Sequence, residues 1–205
     1  MNRIANKHFL VVGLGLTGAS AIRFLIANGA RVSAADSRVA PPELDRIERD
    51  YPQVKTHSGD LPVSLLQDVD ELLVSPGVDL REPLLVAARE QGLEIHGDIE
   101  WFARFANAPV IAITGSNGKS TVTALVLEMA QAAGIHVAVG GNFGTPALDI
   151  LDTNVALYVL ELSSFQLELT ESLKPRAACV LNVSPDHIDR HESLAHYAAL
   201  KARVY

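Results

Sequence analysis

The run from Thr114 to Thr121, Thr-Gly-Ser-Asn-Gly-Lys-Ser-Thr, has the residues that a phosphate-binding loop needs. It lies between an apolar run typical of a strand and an amphipathic run typical of a helix. In that setting backbone N–H groups can surround phosphates, Lys119 can neutralise the β and γ oxygens, and Ser120 can ligate Mg²⁺. Ile113 stands where the common G-x-x-x-x-G-K-[ST] pattern has its first glycine, so a plain turn is the alternative. The strand–turn–helix setting favours ATP with Mg²⁺.

A second glycine-rich turn, Gly13-Leu-Gly-Leu-Thr-Gly18, precedes a predicted helix, and Asp36 comes at the end of the next predicted strand. The glycines allow the backbone to approach a diphosphate closely, and the helix N-terminus supplies N–H donors. An acidic residue about 20 positions on is typical of sites that bind the ribose hydroxyls of NAD. The motif predicts a nucleotide site without selecting NAD, because any diphosphate meets the same donors. A tight turn that packs the helix on the sheet is the alternative.

Three further positions could carry chemistry, and each has a plainer alternative. Glu161 ends an apolar run at the carboxyl end of a predicted strand, where ligands of open α/β sheets bind, so it is either a Mg²⁺ ligand or a solvated acid. His187 follows the next predicted strand and is either a metal ligand or a loop residue. Lys201 shares an apolar helical stripe with Tyr197 and Val204, so its ammonium either reaches the rim of the protein or enters a site.

Strand-length apolar runs alternate with amphipathic helical runs along the chain, which predicts an α/β fold with a mainly parallel sheet. Residues 1–96 are predicted to form a first domain around the first glycine-rich turn. Its predicted strands are His8–Val12, Arg31–Ala35, Glu71–Val74 and Leu93–His96. Its predicted helices are Thr17–Asn28, Glu43–Asp50 and Glu82–Gln91.

Residues 97–205 are predicted to form a second α/β domain around the phosphate loop. Its predicted strands are Val110–Thr114, Val137–Val139, Ala156–Leu162 and Ala178–Val183. Its predicted helices are Ile99–Phe105, Lys119–Ala133 and a pattern that runs from Glu192 to the C-terminus. In the second of these helices the apolar residues at helical spacing are Val122, Leu125, Val126 and Met129. A loop is expected from Leu162 to Ser164.

The composition limits the classes of function that the chain can have. Of its 205 residues 48% are hydrophobic and 20% charged, which is ordinary for a globular protein and unlike a disordered one. With 17 Lys+Arg against 24 Asp+Glu the net charge is −7, so nucleic acid is not an expected partner. A single cysteine, Cys179, excludes an internal disulfide framework, and no apolar run has the length of a membrane span or the pattern of a signal peptide. We therefore expect a cytoplasmic protein without membrane insertion, and a monomer.

Together the motifs resemble the Mur ligase family, and within it the ligases that add D-glutamate. Besides the two glycine-rich turns, the resemblance rests on five runs, and it extends over essentially the whole chain in one register. These are Ser75-Pro-Gly77, Gly140-Gly-Asn-Phe-Gly144, Leu160-Glu-Leu-Ser-Ser-Phe-Gln-Leu-Glu168, Leu181-Asn-Val-Ser-Pro-Asp-His187 and Tyr197-Ala-Ala-Leu-Lys-Ala-Arg-Val-Tyr205. The phosphate loop and the run from Leu160 to Glu168 are highly specific together, whereas a lone glycine fingerprint is not.

The resemblance implies an ATP-dependent ligase that forms an amide bond in peptidoglycan precursor synthesis. The family activates the substrate carboxylate as an acyl-phosphate, which an amino-acid amine then attacks. Here the substrate would be UDP-N-acetylmuramoyl-L-alanine and the amine that of D-glutamate. For the fold, it implies a Rossmann-like N-terminal domain that holds UDP rather than NAD, followed by a P-loop-type ATPase central domain. The family has three domains and the match stops just after Lys201. We therefore expect an incomplete central domain, no C-terminal domain and no turnover by the chain alone.

The resemblance also implies a role for individual residues. The catalytic residues would be Lys119, His187 and Lys201. The ATP site would contain Gly115, Ser116, Asn117, Gly118, Lys119, Ser120, Thr121 and Asn142. The Mg²⁺ ligands would be Ser120, Glu161, His187 and Lys201, the last as a carbamate. The substrate site would contain Leu16, Thr17, Asp36, Arg38, Ser75, Gly77, Asn142, Ser163, Gln166 and His187.

Two alternatives from other classes stay open at the level of the sequence. An NAD-dependent oxidoreductase accounts for the first glycine-rich turn and Asp36, but it leaves the phosphate loop, Glu161 and His187 without a role. A non-catalytic module that binds a UDP-sugar or a nucleotide is chemically close to a truncated ligase. Mg²⁺-dependent binding of ATP separates the ligase from the oxidoreductase.

Overall fold

Two separate parallel sheets organise the chain in the computed structural model, which describes residues 4–186 and 188–205. Each sheet belongs to its own unit, and the first unit ends at Asp98 while the second begins at Ile99. All strand pairs in both sheets are parallel, and helices connect them. The α/β class expected from the sequence is therefore confirmed.

Five strands form the sheet of the first unit. They are β1 (His8–Val12), β2 (Arg31–Asp36), β3 (Lys55–Ser58), β4 (Glu71–Val74) and β5 (Glu94–His96). Their order across the sheet is β3-β2-β1-β4-β5. Residues 9–12 of the central strand β1 are buried, because helices cover both faces of a parallel sheet and its strands are correspondingly apolar.

Three helices connect these strands. They are α1 (Leu16–Ala27), α2 (Leu44–Asp50) and α3 (Pro83–Glu90). Helix α1 buries Ala21, Ile22 and Leu25 fully, and it follows β1 after only three residues. This short connection places the N-terminus of α1 at the carboxyl end of β1, where the first glycine-rich turn lies.

The sheet of the second unit has four strands. They are β6 (Val110–Thr114), β7 (Val137–Gly141), β8 (Leu157–Glu161) and β9 (Ala177–Val180). Their order is β7-β8-β6-β9. Glu161 lies in register with Ile113 of β6 on one side and Gly141 of β7 on the other. The carboxyl ends of these three strands therefore meet at one edge of the sheet.

The remaining helices are α4 (Asp98–Phe105), α5 (Lys119–Ala132), α6 (Ser164–Glu168), α7 (Ile188–His191) and α8 (Leu194–Ala202). The C-terminal helical pattern predicted from Glu192 begins two residues later. Glu192 itself has a positive φ of 63°, and the Ser193 hydroxyl caps α8 by accepting the backbone N–H of His196 at 3.1 Å. Within the described ranges, the helices fall short of the length and apolar character that crossing a bilayer requires.

Two elements, β3 and α6, were not predicted, because hydrophobic periodicity does not mark either of them in the sequence. Strand β3, Lys-Thr-His-Ser, has no apolar alternation and lies at the edge of its sheet beside β2. Helix α6 begins at Ser164, the last residue of the expected loop, and no helix was predicted over the residues that follow. It begins there because Ser163 and Gln166 form a capping box, in which each side chain bonds the backbone N–H of the other.

The apolar spacing on α5 predicts a helix correctly but does not mark its buried face. Leu125 and Met129 are 56% and 63% exposed, whereas Thr123 and Ala130 are buried. Side chains of small volume therefore lie between α5 and the sheet. Leu125 and Met129 face outward, while Val122, Val126 and Leu127 are half-buried.

Candidate nucleotide-binding sites

The first glycine-rich turn is a close contact between the end of β1 and the start of α1. A Cβ atom on Gly18 would lie 1.9 Å from the carbonyl oxygen of Gly13, so only glycine fits there. Gly13 has a φ of +95°, and its carbonyl oxygen accepts the Ser75 hydroxyl at 2.8 Å. The turn thus brings the N-terminus of α1, whose N-cap is Gly15, to the carboxyl edge of the sheet. Helix N-termini of this kind bind anions through their N–H groups and dipole.

Asp36 holds this turn in place. Its buried carboxylate accepts the backbone N–H of Leu14 at 2.7 Å and the guanidinium of Arg38 at 2.6 and 2.9 Å. Burial alone would raise the pKa of Asp36, but the bonds from Arg38 and Leu14 outweigh it and lower the pKa below its usual value. The side chain of Arg38 remains 53% exposed. The carboxylate fixes the turn and the guanidinium, and the exposed part of Arg38 is a cation that suits a ligand carrying phosphate.

The other substrate-site residues predicted for the first unit lie at the same carboxyl edge of the sheet. Leu16 begins α1 and is 62% exposed, and Thr17 follows it. Ser75 and Gly77 follow β4, the first buried and the second exposed. The structure therefore brings together the residues that the resemblance places near uracil and diphosphate.

The phosphate loop of the second unit runs from the end of β6 into α5. Gly118 caps α5 in the left-handed conformation, with φ of 79°, and Lys119 is the first helical residue. The ammonium of Lys119 donates to the carbonyl oxygen of Ser116 at 3.0 Å, so it lies over the loop. Asn117 is exposed on the loop, and Thr121 is exposed in the first turn of α5. This is the strand–turn–helix arrangement expected from the sequence.

Glu161 joins the phosphate loop to the ends of two strands. One carboxylate oxygen accepts the Ser120 hydroxyl at 2.8 Å, and the other accepts the side-chain amide of Asn142 at 2.8 Å. The backbone N–H of Asn142 also donates to the Glu161 carbonyl at 2.8 Å. Glu161 is 2% exposed, so it is not the solvated acid of the alternative interpretation. Hydroxyl and carboxylate oxygens at a phosphate loop are the donor set that Mg²⁺ prefers.

Lys201 is buried at the phosphate loop and does not reach the rim of the protein. It is 1% exposed, its Nζ donates to the Gly115 carbonyl at 2.9 Å, and it lies 4.4 Å from the centroid of the Tyr197 ring. Burial and, to a smaller extent, the positive charge of Lys119 lower the pKa of Lys201 to about 8, although Asp186 acts in the opposite direction. An amine with such a pKa is partly neutral near physiological pH and can react as a nucleophile.

Three residues that support the phosphate loop were not predicted as functional. Asn182 bonds Asn117 twice, through Oδ1 at 2.9 Å and Nδ2 at 3.0 Å. Ser184 donates its backbone N–H to the Ser116 hydroxyl at 3.0 Å, and Tyr197 lies 3.3 Å from that hydroxyl. The run from Leu181 to His187 was visible as a motif, but its contact with the loop spans more than 60 residues and has no local signal.

The remaining predicted positions are described only in part. Gln166 is buried, and it bonds Ser163 within the capping box of α6. His187 lies outside the described residues, so its predicted part in the metal and substrate sites stays a prediction.

Comparison with known proteins identifies the family of both units. The family model described as the N-terminal domain of MurD-like Mur ligases matches residues 7–97, and that of the Mur ligase middle domain matches residues 113–205. The chain is 55% identical over 206 aligned residues to UDP-N-acetylmuramoylalanine–D-glutamate ligase of Pseudomonas fluorescens, and 52% identical over 202 residues to the ligase of that name from Marinobacter nauticus. These alignments cover 100% and 98% of the chain.

The relatives are much longer than this chain, and solved structures share its fold. The chain spans less than half the length of these curated relatives, 46% and 45%. One such structure is that of UDP-N-acetylmuramate:L-alanyl-gamma-D-glutamyl-meso-diaminopimelate ligase from Neisseria meningitides. The match covers 98% of this chain and 68% of the ligase chain, with a TM-score of 0.62 and a sequence identity of 19%. The match to UDP-N-acetylmuramate-alanine ligase of Thermotoga maritima covers 96% of this chain and 46% of the ligase. Its TM-score is 0.58 and its sequence identity 20%. With two adjoining domain matches and this identity along its whole length, the chain belongs to the Mur ligase family.

Proposed function

We propose that this chain is the part of a ligase that binds the UDP-linked substrate and ATP, in an enzyme that joins D-glutamate to UDP-N-acetylmuramoyl-L-alanine in peptidoglycan precursor synthesis. The observation that carries the proposal is the 55% identity along the entire chain to relatives that bear this activity in their name. The geometry of the phosphate loop and Glu161 supports it, because this arrangement suits an ATP-dependent reaction. We further propose that the 205 residues alone do not turn over, since they span 46% of such a relative.

In the second unit, we propose that residues 115–121 and Asn142 bind ATP. The backbone N–H groups at the start of α5 face the phosphates, and Lys119 exchanges the Ser116 carbonyl for a phosphate oxygen. Ser120 and Glu161 would hold one Mg²⁺, and His187 and the carbamate of Lys201 would belong to a second metal site. Mg²⁺ would reduce the repulsion between two anions, the substrate carboxylate and the triphosphate.

The proposed reaction is a phosphoryl transfer followed by amide formation. A carboxylate oxygen of the substrate attacks the γ-phosphorus and ADP leaves, which produces an acyl-phosphate. The amine of D-glutamate then attacks the acyl carbon, loses a proton and displaces inorganic phosphate. Lys119 stabilises the charge that develops on the transferred group, and positioning supplies the remainder of the rate enhancement. Ser163 and Gln166 would position the muramoyl-alanine part.

In the first unit, we propose that the turn from Gly13 to Gly18 binds the UDP moiety. Diphosphate would lie at the N-terminus of α1, with Arg38 as its cation. The hydride-transfer alternative needs Asp36 as an acceptor for ribose hydroxyls, but this carboxylate already accepts Leu14 and Arg38. That observation favours UDP over NAD.

Thermal unfolding with ligands tests the assignment of the first unit. A ligand that binds only the folded state raises the unfolding temperature by mass action. We expect UDP-N-acetylmuramoyl-L-alanine to raise it and NAD or NADH to leave it unchanged. A shift with NAD and none with the UDP-sugar would overturn the assignment and restore the oxidoreductase.

Calorimetric titration with ATP tests the second unit. We expect binding that Mg²⁺ strengthens. The Kd for MgATP should be at least about tenfold higher in Lys119→Ala, which removes a charge that contacts phosphate. Lys174→Ala is the matched control, because Lys174 is an exposed lysine of the same unit. Equal affinity in Lys119→Ala and the parent chain would contradict the site. Formation of the amide product from D-glutamate by the 205 residues would contradict the expected lack of turnover.

A further inference from the structure

Three side chains with metal-binding groups lie close together in the first unit. None of them belongs to the first glycine-rich turn or to the phosphate loop. Glu71 begins β4, and Glu94 and His96 are the first and last residues of β5. Glu71 pairs with Glu94 in the parallel register, and His96 is two residues further along its strand. Because side chains alternate along a strand, all three lie on the same face of the sheet. The two glutamates begin their strands, at the edge opposite to the first glycine-rich turn.

The distances between these groups match the spacing of ligands around a metal ion. Nε2 of His96 lies 3.4 Å from Oε1 of Glu71 and 3.3 Å from Oε2 of Glu94, and all three atoms lie within 4.8 Å of one another. A charge-assisted N–H···O bond is shorter, about 2.7–2.9 Å. Ligands of a tetrahedral ion with bonds of about 2.0–2.1 Å lie about 3.3–3.4 Å apart. Octahedral Mg²⁺ would need neighbouring ligands about 2.9 Å apart.

The charges around Glu71 also favour a cation at this point. Two carboxylates that lie side by side in register repel each other. The side chain of Glu71 is only 2% exposed, while that of His96 is 12% and that of Glu94 69% exposed. Lys7 lies 3.4 Å from Oε2 of Glu71, so it holds that oxygen and leaves Oε1 directed at His96. Metal-binding carboxylates commonly have such a partner on the second oxygen.

We propose that Glu71, Glu94 and His96 form a binding site for a divalent transition metal of the Zn²⁺ class, with water as the fourth ligand on the exposed side of Glu94. An imidazole nitrogen beside two carboxylates suits Zn²⁺ or Co²⁺, whereas Mg²⁺ and Ca²⁺ prefer oxygen alone. The ion bridges β4 and β5 and neutralises the glutamate pair. The site is structural, takes no part in the ligase reaction, and does not depend on the proposed function.

Calorimetric titration of Zn²⁺ into the whole chain tests this site, with millimolar Mg²⁺ present to occupy the phosphate-loop site. We expect one Zn²⁺ site that is at least about tenfold weaker in His96→Gln and in Glu94→Gln, since each removes a ligand. The matched controls are His57→Gln and Glu90→Gln, which change a half-buried histidine and an exposed glutamate of the same unit. Co²⁺ provides a second readout, because tetrahedral Co²⁺ absorbs visible light far more strongly than octahedral Co²⁺.

Thermal unfolding gives a readout that does not depend on counting sites. Zn²⁺ is expected to raise the unfolding temperature of the first unit in the parent chain and in both controls, and to raise it less in the two ligand variants. Glu94→Gln keeps the test valid if a change at a more buried position impairs folding, because Glu94 is mostly exposed. Equal Zn²⁺ affinity in the parent chain, Glu94→Gln and His96→Gln would overturn the proposal. An octahedral Co²⁺ spectrum would overturn the tetrahedral geometry.

Discussion

The hydroxyl of Ser120 donates to Oε2 of Glu161 at 2.8 Å, and this bond joins the first turn of α5 to the carboxyl end of β8 across 41 residues of sequence. Asn142 occupies the other carboxylate oxygen, also at 2.8 Å. The carboxylate is therefore positioned by its neighbours before a cation arrives. To ligate a cation, Ser120 needs only to rotate its proton away from Glu161 and present a lone pair.

Glu161→Gln is expected to weaken ATP binding only when Mg²⁺ is present. The substitution keeps the size of the side chain and removes the anionic ligand, so we expect the Kd for MgATP to rise by about tenfold or more. The Kd for ATP in the presence of EDTA should stay within about twofold of the parent value, since a neutral amide removes no phosphate contact. Calorimetry of both nucleotide forms measures this. Glu128→Gln, on the exposed side of α5, is the control, and an equal loss with and without Mg²⁺ would contradict a metal ligand.

The reactivity of Lys201 is expected to rise between pH 7 and pH 9, because burial lowers its pKa to about 8. Only the neutral amine forms a carbamate, and its fraction grows from about one tenth at pH 7 to about nine tenths at pH 9. A ¹³C carbamate signal from labelled bicarbonate should follow this increase. Lys201→Arg should abolish it, and Lys174→Arg should not. A signal that persists in Lys201→Arg would assign the carbamate to another amine.

Lys119→Ala is expected to reduce this carbamate signal at pH 7.5, because the charge of Lys119 contributes to the lowered pKa of Lys201. Removing a positive charge nearby favours the protonated amine and shifts the titration to higher pH. The same ¹³C measurement across pH 7–9 reports the shift. A titration at the same pH as in the parent chain would show that the charge of Lys119 does not act on Lys201.

Gly18→Ala is expected to destabilise the first unit by at least about 2 kcal/mol, since its Cβ would lie 1.9 Å from the Gly13 carbonyl oxygen. Gly15→Ala is the matched control, because no atom lies within 4 Å of a Cβ built there and its φ is −97°. Hydrogen exchange of the backbone amides of residues 8–12 measures the loss of stability in the first unit. Equal exchange rates in the two variants would show that Gly13 and residue 18 can move apart without a loss of stability.

The stability of the second unit is expected to fall as the pH drops from about 4.5 to 2. Burial would raise the pKa of Glu100, but the backbone N–H groups of Ser172 and Glu171, followed by Arg104, lower it to about 2. A carboxyl group with a lowered folded pKa stabilises the protein fully above its unfolded pKa and loses that effect as the pH falls through the folded value. The contribution is up to roughly 3 kcal/mol.

Urea unfolding at several pH values tests Glu100, with fluorescence of Trp101 as the probe because it is the single tryptophan and lies in the second unit. Glu100→Gln should lower stability near pH 7 and flatten the change between pH 4.5 and 2, while Glu128→Gln should behave as the parent chain does. An unchanged pH profile in Glu100→Gln would contradict the assignment.

Local patterns in the sequence were enough to predict the parts of the site that a short segment determines. Lys119 and Ser120 lie on a strand–turn–helix loop, and Glu161 ends a buried strand, so spacing alone placed them at one edge of a sheet. The support from Asn182 and Tyr197 could not be predicted, because it depends on contacts over 65 and 81 residues. Such contacts follow from the packing of whole elements and leave no periodic signal.

Burial was harder to predict than the presence of an element. On α5 the large apolar residue Met129 faces outward while Thr123 is buried, since side-chain volume at the helix–sheet contact outweighed hydrophobicity. The polar strand β3 escaped prediction for the related reason that an edge strand needs little apolar surface. Lys201 differs from Met129 in the opposite sense, because it is a charged residue and yet is almost fully buried.

The contacts of α8 with the phosphate loop also determine when the loop can take its shape. Gly115 and Lys201 are 86 residues apart, and Ser116 and Tyr197 are 81 residues apart. A ribosome therefore completes the loop long before it makes the helix that holds it. Because closing so long a segment costs entropy before any contact repays it, the loop reaches its final geometry late in folding. The first unit, whose sheet is complete by His96, can therefore fold while the second unit is still forming.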